Sequence, residues 1–506
     1  MNISRSEKAI QGIAHLLFSR VASKAITFGF LIAFVRLLDR EELALLPLYY
    51  AATGASLLLF SFGVPATLVR EIPRLRVEDP EEMQRMLFTG FTFVFTGVIA
   101  TSALALFYGT SIRDLLFEHI DSRLTYLLII VGMIIGGWNI LMRFILKSLQ
   151  EYKDLAICIA SYDLLHKFTG LTGYILYGID GLLVGFISGG LLCNAWFTGK
   201  YSRQLFSSRR LLPLTGLIRL SWPFYIEGYL HYFRNNGDVI LIGSLLGPQA
   251  LALLYIAKRL YDLLMIIIRS IEDVVSPSLS QLLGMRFSTA VDGYLKINLL
   301  APVVLIPMGF IASGLSFFFV DIVGGSEYAE QAYILTALFC IVAVIEGLYG
   351  IQGRAIFVLG RPTERLMLVT AQAAVYFPLL FLLVTKIGII GAPIAQLISF
   401  IIGLVYANRI ISNIIKYTQY NIIVWKIIIA SSIGLSFFAA LQIYYYSPYA
   451  VPAYLLSAII IIVLISSILA SDYDLKLIMD SLPTPLKGYF SSYMRIRSRI
   501  LSPDDR

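Results

Sequence analysis

The sequence predicts an all-α polytopic membrane protein with about fourteen transmembrane helices. Two observations support this fold class. Hydrophobic residues make up 58 % of the 506 residues and charged residues only 14 %, whereas about 25 % of a soluble domain is charged. The apolar residues also fall in stretches of about 20, the length that a helix needs to cross the hydrocarbon core of a bilayer. The intervals between these stretches are too short for a soluble catalytic domain of about 100 residues.

The predicted spans follow one another with short polar intervals. The first span carries Arg20 and Lys24 and lacks a small-residue cleavage site, which favours an uncleaved helix over a signal peptide. The longest internal polar interval, 70–85, is interpreted as a solvated connector. In chain order, the spans are 12–38, 43–69, 86–108, 122–147, 155–178, 182–203, 218–246, 251–279, 297–320, 331–357, 367–387, 389–413, 425–446 and 449–471.

The distribution of basic residues predicts the orientation. An even number of spans places both termini on one side of the membrane. Most Lys and Arg residues fall at the N-terminus, in the even-numbered loops and in the C-terminal tail, while the loops 178–181 and 247–250 contain none. The positive-inside rule therefore predicts that both termini are cytoplasmic. The expected location of the protein is the cell (plasma) membrane. The basic tail, 472–506, is either a helix on the anionic inner leaflet or a frayed segment.

A sequence repeat at an offset of about 208 to 211 residues relates two six-span halves. The segment 37–46 parallels 245–254, and the turn 178–181 parallels 388–391. The helix after each turn carries small residues four apart, a spacing that allows close helix packing. These residues are Gly181, Gly185 and Gly189 in the first half and Gly391, Ala395 and Ser399 in the second.

Because six spans are an even number, the two halves have the same topology. They are predicted to form two pseudo-symmetric six-helix lobes with a substrate site between them. The predicted domains are an N-terminal lobe, 1–210, a C-terminal lobe, 211–420, two further C-terminal helices, 421–471, and the basic cytoplasmic tail, 472–506.

Ionisable residues inside the predicted spans are unusually numerous. Each costs about 2.5–3.5 kcal/mol on insertion scales, and such residues commonly face the interior of a helix bundle. The candidate cations are Arg20, Lys24, Arg143, Lys167, Arg234, Lys258, Arg259 and Arg269. The candidate acids are Glu227, Asp238, Asp262 and Glu346.

Two interpretations of these charges remain open. In one, each cation pairs with a nearby acid, such as Arg234 with Asp238 or Arg259 with Asp262, and the pairs lock the bundle. In the other, surplus cations line a water-filled cavity that receives an anion, and a phosphate would be attracted strongly. Arg143 and Lys167, like Arg20 and Lys24, have fewer obvious acids nearby, which favours the second interpretation.

The sequence contains no pattern typical of an enzyme or a metal site. The four histidines lack metal-ligand spacing, and Walker A, GxSxG and HExxH motifs are absent. The three cysteines lie inside spans and are interpreted as small core residues. The net charge of +8 follows from the loop asymmetry and the buried cations, so no nucleic-acid partner is predicted.

Two segments, 217–283 and 62–71, carry residues in a recognisable pattern. In the first segment they are Ser221 and Pro223, Asp238 with Ile242-Gly243, Leu246-Gly247-Pro248, Tyr255 with Ala257, and Pro277, and in the second Phe62-Gly63-Val64-Pro65 and Leu68-Val69-Arg70-Glu71. With these residues, the first segment resembles the central segment of polysaccharide flippases, the Wzx-like or RfbX-like branch of the multidrug/oligosaccharidyl-lipid/polysaccharide exporter superfamily, and the second is similar to the end of span 2 in this family.

The resemblance implies a V-shaped pair of lobes that flips a polyprenyl- or dolichyl-(pyro)phosphate-linked oligosaccharide from the inner to the outer leaflet. The cations would hold the phosphate, and the acids would orient the cations or take part in gating. The partners would be the lipid-linked glycan, membrane lipids and glycan assembly enzymes. No cofactor is expected apart from coupling by H⁺ or Na⁺. The alternatives are an ion-coupled multidrug or solute exporter and a membrane glycosyltransferase or polymerase. The chain lacks the outer loop and acidic motif usual in the last class.

Overall fold

A computed structural model describes residues 26–108, 122–208, 210–285, 287–359 and 361–414. Arg20 and Lys24, the predicted spans 13 and 14 and the basic tail lie outside these residues. Every regular element in the described part is helical. Six of the described helices are long and apolar enough to cross a membrane, or seven if one bent pair counts as a single span. The predicted all-α membrane fold is therefore confirmed, while the count of fourteen spans stays a prediction.

The described helices follow the predicted spans closely. In chain order they are α1 (Ile26–Leu37), α2 (Arg40–Ser56), α3 (Val64–Glu78), α4 (Pro80–Phe107), α5 (Arg123–Ser148), α6 (Tyr152–Leu205), α7 (Leu214–Met285), α8 (Phe287–Gly314), α9 (Ser316–Gly324), α10 (Ser326–Val358), α11 (Pro362–Ile387) and α12 (Gly391–Ile414). A short 3₁₀ turn, Gly388–Ile390, joins α11 to α12.

Two of these helices are hairpin pairs that meet at a glycine. In α6 the helical conformation is interrupted at Tyr177 and Gly178, where Gly178 has φ 65° and ψ −146°. In α7 it is interrupted at Gly247, with φ 80° and ψ −175°. Residues with a side chain rarely adopt these backbone angles, whereas glycine tolerates them because it lacks a Cβ. The turns predicted at 178–181 and 247–250 are thus present as sharp breaks.

The backbone angles support the sequence repeat. Gly388, which the repeat aligns with Gly178, has φ 71° and ψ −150°. The packing after the two turns also corresponds. A Cβ on Gly181 would lie 2.1 Å from the Gly173 carbonyl oxygen, and one on Gly391 would lie 2.4 Å from the Leu383 carbonyl carbon, eight residues earlier in each case. The two halves therefore build the same tight hairpin from equivalent positions.

The predicted span 2 and the connector after it differ from the expectation. Span 2 is not one helix, because turn residues 57–63 separate α2 from α3. The interval 70–85 is not a loop either, since α3 continues to Glu78 and α4 begins at Pro80. Within α3, Arg74 lies 3.1 Å from Glu71 and 3.4 Å from Glu78, spacings that stabilise an exposed helix. Charge alone did not distinguish a solvated helix from a loop.

The predicted span 9 is also interrupted. It consists of α8 and α9, whose axes differ by 53° at a short break. Pro302 and Pro307 lie inside α8, where each removes a backbone donor.

The described chain divides into two compact units, the first ending at Tyr255 and the second beginning at Ile256. The core of the first unit contains fully buried Leu68, Leu87, Leu141 and Leu205. In the second unit, Phe339 and Phe400 are fully buried. The first half of α7 belongs to the first unit because it packs on α2 and α3. The predicted lobe boundary at 210/211 remains a prediction.

Candidate functional site

Four polar side chains from three helices of the first unit come together in what we call the shared-carboxylate cluster: Thr27, Arg143, Asp163 and Lys167. Arg143 Nη2 lies 3.8 Å and Lys167 Nζ 4.0 Å from the same atom, Asp163 Oδ1. Lys167 Nζ also donates a hydrogen bond to Thr27 Oγ1 at 2.6 Å. Two cations from different helices therefore face one carboxylate.

The helices fix this arrangement. Asp163 and Lys167 are four residues apart on α6 and so lie on one face. Arg143 comes from α5, which packs against α6, and its guanidinium lies 5.3 Å from the centre of the Tyr162 ring, within the range of a cation–π contact. The Asp163 side chain is 24 % exposed and that of Lys167 only 10 %. The cluster is thus partly desolvated, which strengthens the attraction between its charged side chains.

The structure corrects the expectation that Arg143 and Lys167 have few obvious acids nearby. Asp163 serves both, and it was not among the candidate acids. The spacing of Asp163 and Lys167 on one helix was a readable signal, but the approach of Arg143 from α5 requires the tertiary fold. The other two cations assigned to this group, Arg20 and Lys24, lie outside the described residues.

A buried aromatic layer lies next to the cluster. His166 is 2 % exposed, and its ring stacks on Phe186 with centroids 4.0 Å apart and on Tyr162 at 5.1 Å. His166 Nδ1 lies 3.0 Å from the Phe186 carbonyl oxygen. This layer positions the stretch of α6 that carries Asp163 and Lys167. His166 was not among the candidate site residues, because the four histidines lack metal-ligand spacing.

Three of the candidate ionisable residues, Glu227, Arg234 and Asp238, lie on the first half of α7, in the first unit. Arg234 Nη2 lies 3.0 Å from His231 Nδ1, and Asn235 Nδ2 lies 3.0 Å from His231 Nε2. Asp238 is 1 % exposed, and its Oδ1 accepts a hydrogen bond from the Val239 amide at 2.9 Å. Glu227 is exposed. The imidazole of His231 therefore organises the polar face of α7 around Arg234.

The remaining predicted residues lie in the second unit. Arg259 Nη1 donates to Asp262 Oδ2 at 3.0 Å, which is the ion pair that the first interpretation expected. Lys258 lies 5.9 Å from the Phe339 ring centre. Glu346 is 5 % exposed and accepts a hydrogen bond from the Tyr261 hydroxyl. Arg269 is exposed.

A contact that sequence reasoning missed joins the break in span 2 to α7; we call it the α3–α7 contact (Leu59, Gly63, Thr67, Ser221 and Tyr225). Thr67 Oγ1 donates to Ser221 Oγ at 2.7 Å, both residues being fully buried. The Tyr225 hydroxyl donates to the Leu59 carbonyl oxygen at 3.0 Å.

Glycine is required at the centre of this contact. A Cβ on Gly63 would lie 2.5 Å from the Ser221 carbonyl oxygen. Further along α7, Tyr232 donates to the Ala51 carbonyl oxygen at 2.8 Å. The contact joins segments that the sequence assigned to different lobes. The Gly63-Val64-Pro65 sequence, with proline in the first turn of α3, was the available signal of a helix start.

Comparison with known proteins assigns the chain to a family. A family model described as "Polysaccharide biosynthesis protein" matches residues 9–283. The probable low-salt glycan biosynthesis flippase Agl15 of Haloferax volcanii is 22 % identical over 296 residues, which is 55 % of this chain and 62 % of the relative. The chain therefore matches less than two thirds of the length of this curated relative.

Solved structures support the same fold. The lipid II flippase MurJ, in an inward closed conformation, matches with a TM-score of 0.71 at 16 % identity, covering 89 % of this chain and 97 % of MurJ. The Vibrio cholerae MATE transporter VcmN matches with a TM-score of 0.57 at 14 % identity, covering 82 % and 98 %. An outward-facing MATE transporter of the MOP superfamily matches with a TM-score of 0.54 at 12 % identity, covering 80 % and 96 %. These relatives are flippases and transporters rather than enzymes.

Proposed function

Because the chain belongs to the family of polysaccharide biosynthesis proteins, we propose that it is a flippase for a polyprenyl- or dolichyl-(pyro)phosphate-linked oligosaccharide. It moves this lipid from the inner to the outer leaflet of the cell membrane by alternating access, with both termini in the cytoplasm. The family membership and the flippase among its relatives support the substrate class.

The observation that carries the mechanism is the shared-carboxylate cluster. A phosphoryl group has several acceptor oxygens and fits two converging cations, and each charge-assisted hydrogen bond contributes about 1.5–3 kcal/mol. Arg143 and Lys167 supply such a pair in a partly buried position. In this proposal they hold the phosphate together with Arg20, Lys24, Arg234, Arg259, Lys258 and Arg269. The lipid tail stays in the bilayer.

The α3–α7 contact supports the gating part of the proposal. It joins the predicted N-terminal lobe to the first helix of the predicted C-terminal lobe through side-chain and backbone hydrogen bonds. Alternating access requires such contacts to open and close on one side of the membrane. Glu227, Asp238, Asp262 and Glu346 are the acids assigned to gating or to coupling by H⁺ or Na⁺.

The test is glycan export in cells that depend on this chain. Arg143→Ala and Lys167→Ala should each lower export at least about tenfold, because each removes one charge-assisted contact to the phosphate. Lys200→Ala is the matched control: Lys200 is on α6 as well, but its side chain is 50 % exposed and pairs with Asp154 at 2.5 Å, outside the cluster. Normal export in both cluster variants, at normal membrane levels, would refute the phosphate site.

A second candidate is an ion-coupled exporter of drugs or other solutes. The observation that favours it is Glu346, a buried carboxylate that accepts a hydrogen bond from the Tyr261 hydroxyl and is one of the acids assigned to ion coupling. For this function, expression should confer resistance to cationic compounds, and Glu346→Gln should abolish the resistance. A glycan-export defect without any change in drug resistance would decide for the flippase.

A further inference from the structure

The first half of α7 carries aromatic and ionisable residues at a constant spacing. Three of its ionisable residues each follow an aromatic residue by five positions. The pairs are Trp222 and Glu227, Tyr229 and Arg234, and Phe233 and Asp238. Five residues turn an α-helix by about 140°. The helical backbone of α7 is interrupted at Gly247, beyond these residues. The aromatic and the ionisable side chains therefore leave the helix on nearly opposite sides.

The aromatic side chains form one continuous surface, which we call the aromatic flank (Phe62, Trp222, Tyr225, Tyr229 and Phe233). Ring centroids are 5.7 Å apart for Trp222 and Tyr225, and 4.7 Å apart for Tyr225 and Tyr229. The Phe233 ring lies 6.2 Å from Tyr229. Phe62, from the break in span 2, stacks on Tyr225 at 5.1 Å. Ring contacts at these distances are favourable, so they hold the flank as a rigid surface.

Both ends of the aromatic flank are open. The side chain of Trp222 is 51 % exposed and that of Phe233 is 40 % exposed. The eleven residues between these two positions correspond to about 16 Å along the helix axis. This is about half of the 30 Å thickness of the hydrocarbon core. The aromatic flank therefore extends over a depth of about one leaflet.

The rigidity of the aromatic flank favours a specific occupant over ordinary membrane lipid. Mobile lipid chains cover any apolar side chain and require no fixed surface. Aromatic rings, by contrast, offer a large contact area at a low cost in side-chain entropy. Phe62 reaches Tyr225 with φ 47°, a backbone angle that is uncommon for a residue with a large side chain. Such a conformation persists only where the surrounding structure fixes it.

The opposite side of α7 requires polar surroundings. Glu227 and His231 are exposed there. Ionisable side chains within a span face a polar interior or a water-filled cavity rather than lipid. The helix thus borders polar surroundings on one side and presents rigid aromatic rings on the other. A lipid-linked glycan needs both environments at the same time, because its headgroup is polar and its carrier is a hydrocarbon chain.

From this arrangement we infer that the aromatic flank binds the isoprenoid chain of the lipid-linked substrate, while the headgroup lies on the ionisable side of α7. This inference rests on the proposed function and names the residues that recognise the carrier. The binding is noncovalent, through dispersion contacts between the ring faces and the methyl-branched chain. Changes on the aromatic flank should therefore alter affinity for the chain and leave affinity for the phosphate unchanged.

The experiment compares two probes that share a diphosphate and differ in chain length. Farnesyl diphosphate and dimethylallyl diphosphate, whose isoprenoid chain is one third as long, are titrated calorimetrically into the purified full-length protein in phosphatidylcholine nanodiscs. The double variant Trp222→Leu/Phe233→Leu removes two rings and keeps apolar side chains that the bilayer accepts. We expect its affinity for farnesyl diphosphate to fall about tenfold and its affinity for dimethylallyl diphosphate to stay within about twofold.

Two further variants control for the ring and for its position. Trp222→Phe keeps an aromatic ring and should bind farnesyl diphosphate within about threefold of the wild type. Trp196→Leu removes another exposed tryptophan, which is 72 % exposed on α6 and lies outside the aromatic flank. This variant should bind both probes as the wild type does.

The preference for farnesyl over dimethylallyl diphosphate decides the inference. If the wild type and the double variant show the same preference, ordinary membrane lipid covers the flank and the inference is wrong. It is also wrong if both probes lose affinity equally in a double variant with a normal unfolding temperature. Should the double variant fail to fold, an unchanged preference in a folded Trp222→Leu protein would overturn it. If neither probe binds the wild-type chain, the proposed phosphate site itself is wrong, and the inference falls with it.

Discussion

A single glycine makes the α3–α7 contact possible. Gly63 has φ 76° and ψ 3° and precedes the first turn of α3. A Cβ at this position would lie 2.5 Å from the Ser221 carbonyl oxygen and 2.7 Å from the Tyr225 amide nitrogen. Both neighbours are backbone atoms of α7, so they cannot rotate away as a side chain could. The left-handed backbone conformation of Gly63 and the lack of space for a Cβ beside α7 therefore both require glycine.

We predict that Gly63→Ala weakens this contact. The left-handed conformation alone costs a side-chain residue about 1–2 kcal/mol, and the overlap with α7 adds to that cost. The expected result is a lower unfolding temperature in detergent and easier opening of the contact. Gly199→Ala is the control, because a Cβ there meets nothing within 4 Å. On an open helical position alanine is favoured by up to about 1 kcal/mol, so this variant should be neutral or more stable. Equal loss of stability in both variants would contradict the argument.

At the scale of helices, the sequence repeat can be tested on the backbone angles of two turns. Gly178 and Gly388 have nearly the same backbone angles, φ 65° and ψ −146° against φ 71° and ψ −150°. A Cβ on either meets nothing within 4 Å, so any effect of adding one comes from the backbone. Such glycine-only conformations cost other residues about 1–3 kcal/mol.

Gly178→Ala and Gly388→Ala should therefore destabilise the protein by similar amounts, about 1–3 kcal/mol each. Thermal unfolding in detergent measures both. The small-residue positions after the turns should not be interchangeable, however. The second repeat already has Ala395 where the first has Gly185, whose Cβ would lie 2.1 Å from the Thr169 carbonyl oxygen. Gly185→Ala should thus be harmful despite the alanine in the other half. If Gly185→Ala were tolerated, the helices of the first hairpin would have to leave as much space for a methyl group as those of the second hairpin leave at Ala395.

The same elements show how far the sequence alone could predict the structure. Helices in apolar stretches and breaks at Gly178, Gly247 and Gly388 were predictable, because hydrophobic length and glycine have direct local causes. The break at 57–63 was not, since it includes Phe62 with φ 47°, and an apolar residue gives no local signal of that conformation. The meeting of Arg143 and Asp163 depends on how α5 packs against α6. Periodicity shows which residues share a face but not which faces meet.

At the scale of the whole molecule, the proposed alternating access requires that the predicted lobes move relative to each other. The α3–α7 contact is one of the described places where a helix assigned to one predicted lobe is hydrogen-bonded to a helix assigned to the other. Thr67 Oγ1 and Ser221 Oγ are 2.7 Å apart, and both side chains are fully buried. Cysteines at these positions should therefore form a disulfide, whose sulfur atoms are about 2.0 Å apart. If alternating access opens this contact, the link should hold the protein in one state.

We predict that the double variant Thr67→Cys/Ser221→Cys exports glycan when reduced, stops when a membrane-permeable oxidant is added, and recovers on reduction. The native cysteines are replaced by alanine in the background, because Cys158, Cys193 and Cys340 are free thiols. The control links two helices of one predicted lobe: Thr125→Cys/Asp180→Cys, where Thr125 Oγ1 donates to Asp180 Oδ1 at 2.5 Å. That link should form and leave export unchanged. Continued export by an oxidised, fully linked Thr67→Cys/Ser221→Cys protein would mean that this contact stays closed throughout the cycle, and the moving interface would have to lie elsewhere.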